Sequence, residues 1–526
     1  MMTPLRSAPG IALAAALALV LGAGCNMLTG ASDLALDGEG SGANSTLGAG
    51  GSGLGHPGPG GAGSSGGSST GGSEPSQGMV LADGVYLDEI AIFQGVKRPL
   101  MQGGVAAGSA VSVVANRDGL LRVYAHADGA YDGGVVTARL TIGAGPAIDE
   151  QVTVGGMGID GNLASTINFQ LPGAVLQPGV GYSVQLLRDP AQSSGANAAA
   201  GYPPSGQDSL AVESSGSRLR VALLPIEYDA DGSGRLPDTS GAQVEAFRQG
   251  FLGRYPVPAV EVTVLDPMPW STPVTAYGDG WDSLLTSVAD LRSARGVGED
   301  EYMFGMFDPA GSIGEYCGGG CVAGLGFVPD AVDVWGRAAI GLGYGEVTVE
   351  TALHEIGHTH GRQHAPCGGP AGVDPSYPYP NADIGSWGYD IVSGQLLSPG
   401  EHVDMMSYCS PTWLSDYTYQ ALFERIRFVN GAKIVVPDEL KNRTYDRVRI
   451  GADGSLRWLP SIQLEMPPMA QSMAVELQHG GVSKTVQGSY YPFDHLPGGV
   501  LFVARSAPFE ALRVHAAGQT RTLLKP

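Results

Sequence analysis

His354, Glu355, His358 and His364 stand in an eleven-residue run of this 526-residue chain, and side chains of those types at that spacing can hold a metal ion and move a proton beside it. On a helix, residues four apart share a face, so His354 and His358 can point at one ion, with Glu355 next to them. A third ligand one turn further on would lie too far along the axis. The helix must therefore stop, and Gly361 can take the left-handed conformation that stops it and turns the chain back. His364 then arrives as the third ligand. Three neutral imidazoles leave a fourth position for water, the arrangement of a catalytic zinc, and Glu355 can take that water's proton. His360 points off the ligand face by its spacing and reads as a solvated helix end.

The run His354-Glu355-Ile356-Gly357-His358-Thr359-His360-Gly361-Arg362-Gln363-His364 resembles the long zinc signature His-Glu-x-x-His-x-x-Gly-x-x-His of the metzincin metallopeptidases at every fixed position. Some forty residues on, Asp404-Met405-Met406-Ser407-Tyr408-Cys409 is similar to that clan's methionine turn. The resemblance implies Met406 beneath the metal, and Tyr408 where astacin-like and serralysin-like members carry a tyrosine that helps stabilise the tetrahedral intermediate. It implies an α+β catalytic domain: a twisted mixed sheet, an active-site helix, the methionine turn and a C-terminal helix. It further implies an edge strand ahead of the active-site helix that pairs with substrate backbone. Order along the chain places this strand at Ala323, Gly324, Leu325 and Gly326, where glycines permit close approach.

Ala365, after the third histidine, differs from the astacin, serralysin, adamalysin and matrixin choices. The catalytic region looks closer to large secreted bacterial metzincins of the mucin-cleaving type, which leaves subfamily and substrate open. The expected activity is that of a zinc endopeptidase acting on extracellular proteins or glycoproteins, with one catalytic Zn2+. The rival is a surface-anchored adhesin or binding lipoprotein on a weakly active scaffold of the same kind.

Elements must position these residues. A chain of 526 residues exceeds what one core supports. Its net charge of −22 argues against nucleic acid as a partner and for a soluble acidic surface, with the chain expected to be a monomer. Arg6 precedes the short apolar run Ile11 to Leu21, and small residues lead to Cys25. Residues 1–24 thus read as a lipoprotein signal peptide, with Cys25 lipidated and the exported protein held at the outer membrane, ordinary secretion being the alternative. The lipid anchor would be its one membrane contact. Residues 25–78 are dominated by Gly, Ser, Ala and Pro and read as a flexible tether.

Short alternating runs over 79–216, among them Val85 to Phe93, Leu120 to Ala125, Val135 to Ile142 and Tyr182 to Leu187, predict an all-β sandwich-like domain. The catalytic domain is expected over 217–431, with the active-site helix over 347–360 and a last helix capped by Ser415. Strand-like runs return over 432–526 as a small C-terminal β domain. Asp229-Ala230-Asp231-Gly232-Ser233-Gly234 is half of a calcium loop; it reads first as a turn, with Ca2+ near Asp229 and Asp231 as the alternative, because Ser240 stands where the twelfth, acidic ligand belongs. Ser240 itself fits a helix N-cap, with Gln243 completing a capping box.

With Cys25 lipidated, four cysteines remain, an even number in an exported chain. Cys367 follows the last zinc ligand and Cys409 follows Met406. If those segments pack as the resemblance implies, the pairs are Cys367 with Cys409 and Cys317 with Cys321. A structural zinc on four cysteines is the alternative.

Overall fold

The computed structural model describes residues 78–431 and 436–526. The expected signal peptide, the expected tether up to residue 77 and Cys25 lie outside the described residues, as does the start of the expected C-terminal domain at 432–435. None of the described helices is long and apolar enough to cross a membrane.

At the centre is a sheet in the order Val260–Val264, Leu219–Tyr228, Glu301–Phe307, Ala338–Leu342, Gly324–Gly326. The first four strands pair in parallel and the last is antiparallel. Side chains alternate across its two faces. Val221, Leu223, Phe304 and Met306 join helices α1 (Gly241–Arg254) and α4 (Gly345–Thr359) in one core. Leu224, Ile226, Met303 and Phe307 join α2 (Trp281–Ala294) and the C-terminal strands in another. A short α3 (Ile313–Cys317) precedes the edge strand, and α5 (Asp416–Gly431) closes the first core with Tyr419, Leu422, Phe423 and Ile426. Ser240 caps α1 by accepting from the Gln243 N–H at 3.3 Å, but the Gln243 side chain donates to the Gly345 carbonyl instead of returning to the cap, so the capping box is half formed.

The expectation of an α+β metzincin domain flanked by two sandwiches is corrected here. The described chain is mostly β: thirty strands stand against five α-helices, so helices are the minority everywhere except around the central sheet. Between α4 and α5 the chain forms only two-residue strands, loops and one 3-10 turn at Pro380–Ala382. Nor are the β regions simple flanks. Gly388–Tyr389 pairs with Gly95–Gln102, so one seven-stranded sheet draws on both sides of the expected border at 216. The C-terminal part is a single antiparallel seven-stranded sheet, not a sandwich. It curls until its first and last strands meet, where the Trp458 indole donates to the Leu524 carbonyl at 2.7 Å. Local periodicity shows which face of a strand is buried; it does not show which sheet the strand joins.

The N-terminal β region is tied to the central one by Arg117, which is fully buried. Its guanidinium donates to the carbonyls of Val257 (2.8 Å), Gly253 (3.1 Å) and Gln94 (3.2 Å). Burial pulls its pKa below that of an exposed arginine. Arg117→Met keeps the bulk but strands three buried carbonyls. The expected loss is on the order of 3 kcal/mol, read as a lower calorimetric melting temperature with metal content unchanged.

Candidate metal centre

Helix α4 places His354 and His358 on one face, and Gly361 ends it at φ +80°. The Gly361 N–H donates to the His358 carbonyl at 2.7 Å, and the positive φ is what makes glycine the residue for this turn, with the Arg425 guanidinium lying close against it. The turned chain brings His364 back beside the helix. The His358 Nε2 lies 3.0 Å from that of His354 and 3.1 Å from that of His364.

These short contacts are not hydrogen bonds. Each ring donates its Nδ1–H to a backbone carbonyl: His354 to Met405 at 2.7 Å, His358 to Arg362 at 2.6 Å and His364 to Ala371 at 2.6 Å. All three Nε2 atoms are then bare acceptors facing one another, a repulsive arrangement unless a cation lies between them. Imidazole nitrogens about 2.0–2.1 Å from a tetrahedral ion would sit about 3.3 Å apart. The donor set therefore fits a metal ion. Burial, together with neighbouring imidazoles, holds His354 down to about 3 and His364 down to about 2, with His358 also well below an ordinary histidine. The rings stay neutral and ready to ligate.

The segment 404–409 supports both ligand stretches. Met405 supplies the carbonyl that orients His354, and Met406 accepts the Ala365 N–H at 2.9 Å beside the third histidine. A Cβ on Gly357 would meet the Met406 sulfur at 2.5 Å, so Met406 lies flush beneath the helix. Buried Asp404 holds the turn by accepting from the N–H groups of Met406 and Ser415. The Tyr408 hydroxyl is 3.2 Å from the His364 Nε2. Cys367 is bonded to Cys409 and Cys317 to Cys321, which rules out the four-cysteine zinc site.

Glu355 is buried and faces the strand Gly324–Gly326. A Cβ on Gly324 would come within 2.2 Å of its Oε1. This glycine thus makes room for the carboxylate itself, where the sequence suggested room for substrate. Ala323 and Gly324 line a cleft of ≈ 630 Å³ with His354, Glu355 and Tyr408, whereas Leu325 is packed in the core.

Two residues in this site were missed in the sequence. Asp494 and His495 enter from the C-terminal sheet, at the turn between the strands Val482–Pro492 and Gly499–Ala504. His495 Nε2 lies 3.0 Å from Glu355 Oε1, and its Nδ1 contacts the Tyr408 hydroxyl. Both Asp494 oxygens accept the Gly326 N–H at 3.0 Å. Burial raises the proton affinity of Glu355 and of Asp494, and the two neighbouring carboxyls share a proton in preference to ionising together. The available signal was an Asp-His pair ahead of Pro497-Gly498-Gly499, a turn flanked by strands. It lies 130 residues beyond His364, and nothing in one-dimensional spacing joins the two.

His360 is also corrected. It is fully buried, not solvated: its ring stacks on Tyr302 at 4.0 Å, its Nδ1–H donates to the Ile356 carbonyl, and its Nε2 lacks a partner. Burial lowers it to about 3. A folded pKa below the unfolded value of about 6.5 gives stability that is present above pH 6.5 and lost as pH falls toward 3. His360→Phe removes that loss, so between pH 7 and pH 5 the variant should lose about 2 kcal/mol less stability than wild type, by denaturant titration, at unchanged metal content.

The aspartates of 229–234 make the contacts of a turn. Asp229 accepts the Gly234 N–H, and Asp231 is taken by Ser233 and the Arg235 guanidinium. The clusters able to hold a metal among the described residues are His354, His358, His364 with His495, and Glu355, His358, Asp494 with His495. Comparison of the chain with protein-family models and with curated proteins returns no match.

Proposed function

We propose that the chain is a zinc-dependent endopeptidase, similar to metzincin peptidases in its zinc signature and methionine turn. The observation that supports this best is the meeting of three bare Nε2 atoms with a buried carboxyl from the same helix at the wall of an open cleft. Zinc held by His354, His358 and His364 would acidify a water toward a pKa of about 7 and polarise the scissile carbonyl.

The chain's own groups do the rest. Glu355 removes the water's proton and delivers it to the departing amine, a role suited to a carboxyl whose proton affinity burial has raised. Tyr408 donates its O–H to the oxyanion; burial first, then the nearby Asp494 and Glu355 charges, keep that proton on. Backbone at Gly324 pairs with an extended substrate segment, the Ala323 carbonyl being already bonded to the Leu342 N–H. The substrate is an extracellular protein or glycoprotein, met outside the cell by a lipid-anchored chain. Two disulfides suit that oxidising compartment.

The test is metal content together with cleavage of a broad panel of proteins and glycoproteins by the full chain. One zinc per chain with cleavage supports the peptidase. One zinc without cleavage of any member supports the surface-binding lipoprotein instead.

A further inference from the structure

The rings of His354, His358 and His364 have centroids 4.7, 5.4 and 4.5 Å apart. The His495 ring lies 5.3 Å from the first, 5.3 Å from the second and 4.8 Å from the third. Four imidazoles with all six separations between 4.5 and 5.4 Å occupy the corners of a nearly regular tetrahedron. Each of the four residues offers one ring nitrogen, and these four nitrogens all lie within 4.8 Å of one another.

We propose that His495 is a fourth protein ligand of the metal centre, delivered by the hairpin tip 493–498 of the C-terminal sheet, and that the tip must be displaced before substrate can bind. This rests on the metal-peptidase reading above.

The tip is built to stay in place. The Phe493 N–H donates to the Gly498 carbonyl and closes the turn, and Phe493 stacks on Phe327 at 5.9 Å. Phe493 also forms an antiparallel bridge to Phe327, next to the edge strand, and Asp494 takes the Gly326 N–H. Backbone groups beside the site are thus already paired within the chain. Leu496 packs onto Gly278, where a Cβ would come within 2.7 Å of it. A zinc with four protein ligands is closed, whereas hydrolysis needs an open position. Withdrawal of the tip opens that position, releases Glu355 from His495 and frees the Gly326 N–H in one movement.

X-ray absorption on the zinc-loaded full chain should count four imidazole nitrogens; three would overturn the proposal, and this measurement needs no variant. In His495→Ala, zinc affinity measured against a chromophoric chelator should fall by about 10- to 100-fold. Cleavage of the protein panel at saturating zinc should rise about tenfold or more, as expected if under a tenth of the wild-type molecules are open. Unchanged affinity with reduced cleavage would make His495 a substrate-contacting residue and overturn the proposal. Wild-type zinc affinity in His358→Ala would instead overturn the metal reading itself, and the inference with it.

Discussion

Glu355→Gln is expected to keep one metal per chain and to lower turnover about 10²- to 10⁴-fold, the range general acid–base groups contribute. Glutamine preserves the shape and can still accept from His495, but it cannot take a proton from water. Metal content should hold because Glu355 orients none of the three ligand rings: their Nδ1–H groups are fixed by the carbonyls of Met405, Arg362 and Ala371. Stability should hold or rise, since the substitution removes one of two buried carboxyls that compete for a proton. Burial raises the folded pKa of Glu355, which gives stability that is full below about pH 4.5 and lost as pH rises through the folded value. Glutamine abolishes that loss. Single-turnover cleavage, metal analysis and denaturation at two pH values check the three parts separately. Lost metal would mean that Glu355 supports the ligands, and unchanged turnover would assign the proton to another group.

Legibility in the sequence followed sequence distance. The meeting of His354, His358 and His364 could be read because a helix fixes the relation of residues four apart, and because a glycine at φ +80° turns the chain back in few residues. The pairing of Cys367 with Cys409 was reachable once the two segments beside the metal were expected to pack. Strand positions such as Val85–Phe93 and Gly181–Arg188 follow local alternation. What failed was non-local. That Gly388–Tyr389 would complete an N-terminal sheet, or that a C-terminal hairpin would put His495 among the rings of His354, His358 and His364, depends on contacts that no periodicity records. His360 failed for another reason: its spacing excluded it from the ligand face, but helical spacing does not say what packs on the opposite face, where Tyr255 and Tyr302 enclose it.

His358→Ala should bind no zinc at micromolar concentration, because this ring stands between the other two: its Nε2 is 3.0 Å from one ligand nitrogen and 3.1 Å from the other. A ligand that binds only the folded state at a thousand times its Kd adds about 4.1 kcal/mol. Wild type should therefore lose several degrees of melting temperature on chelation, whereas the variant should melt identically with and without chelator. Acid should act in the same direction as chelation. The ligand histidines have folded pKa values below the unfolded value of about 6.5, so their contribution to stability is present above pH 6.5 and lost as pH falls, by about 1.4 kcal/mol per pH unit for each ring that stays neutral. The raised carboxyls Glu355 and Asp494 oppose this, since between about pH 4.5 and 6.5 they hold protons in the folded state that the unfolded chain has released. Five histidines whose pKa is lowered in the fold, counting His360 and His495, outweigh two carboxyls there. The metal-free protein should accordingly weaken on acidification from pH 6.5, and His358→Ala should weaken less steeply by one histidine's share. A variant slope equal to that of wild type would show that His358 is already protonated in the folded metal-free chain, and that the three bare nitrogens do not face one another without an ion.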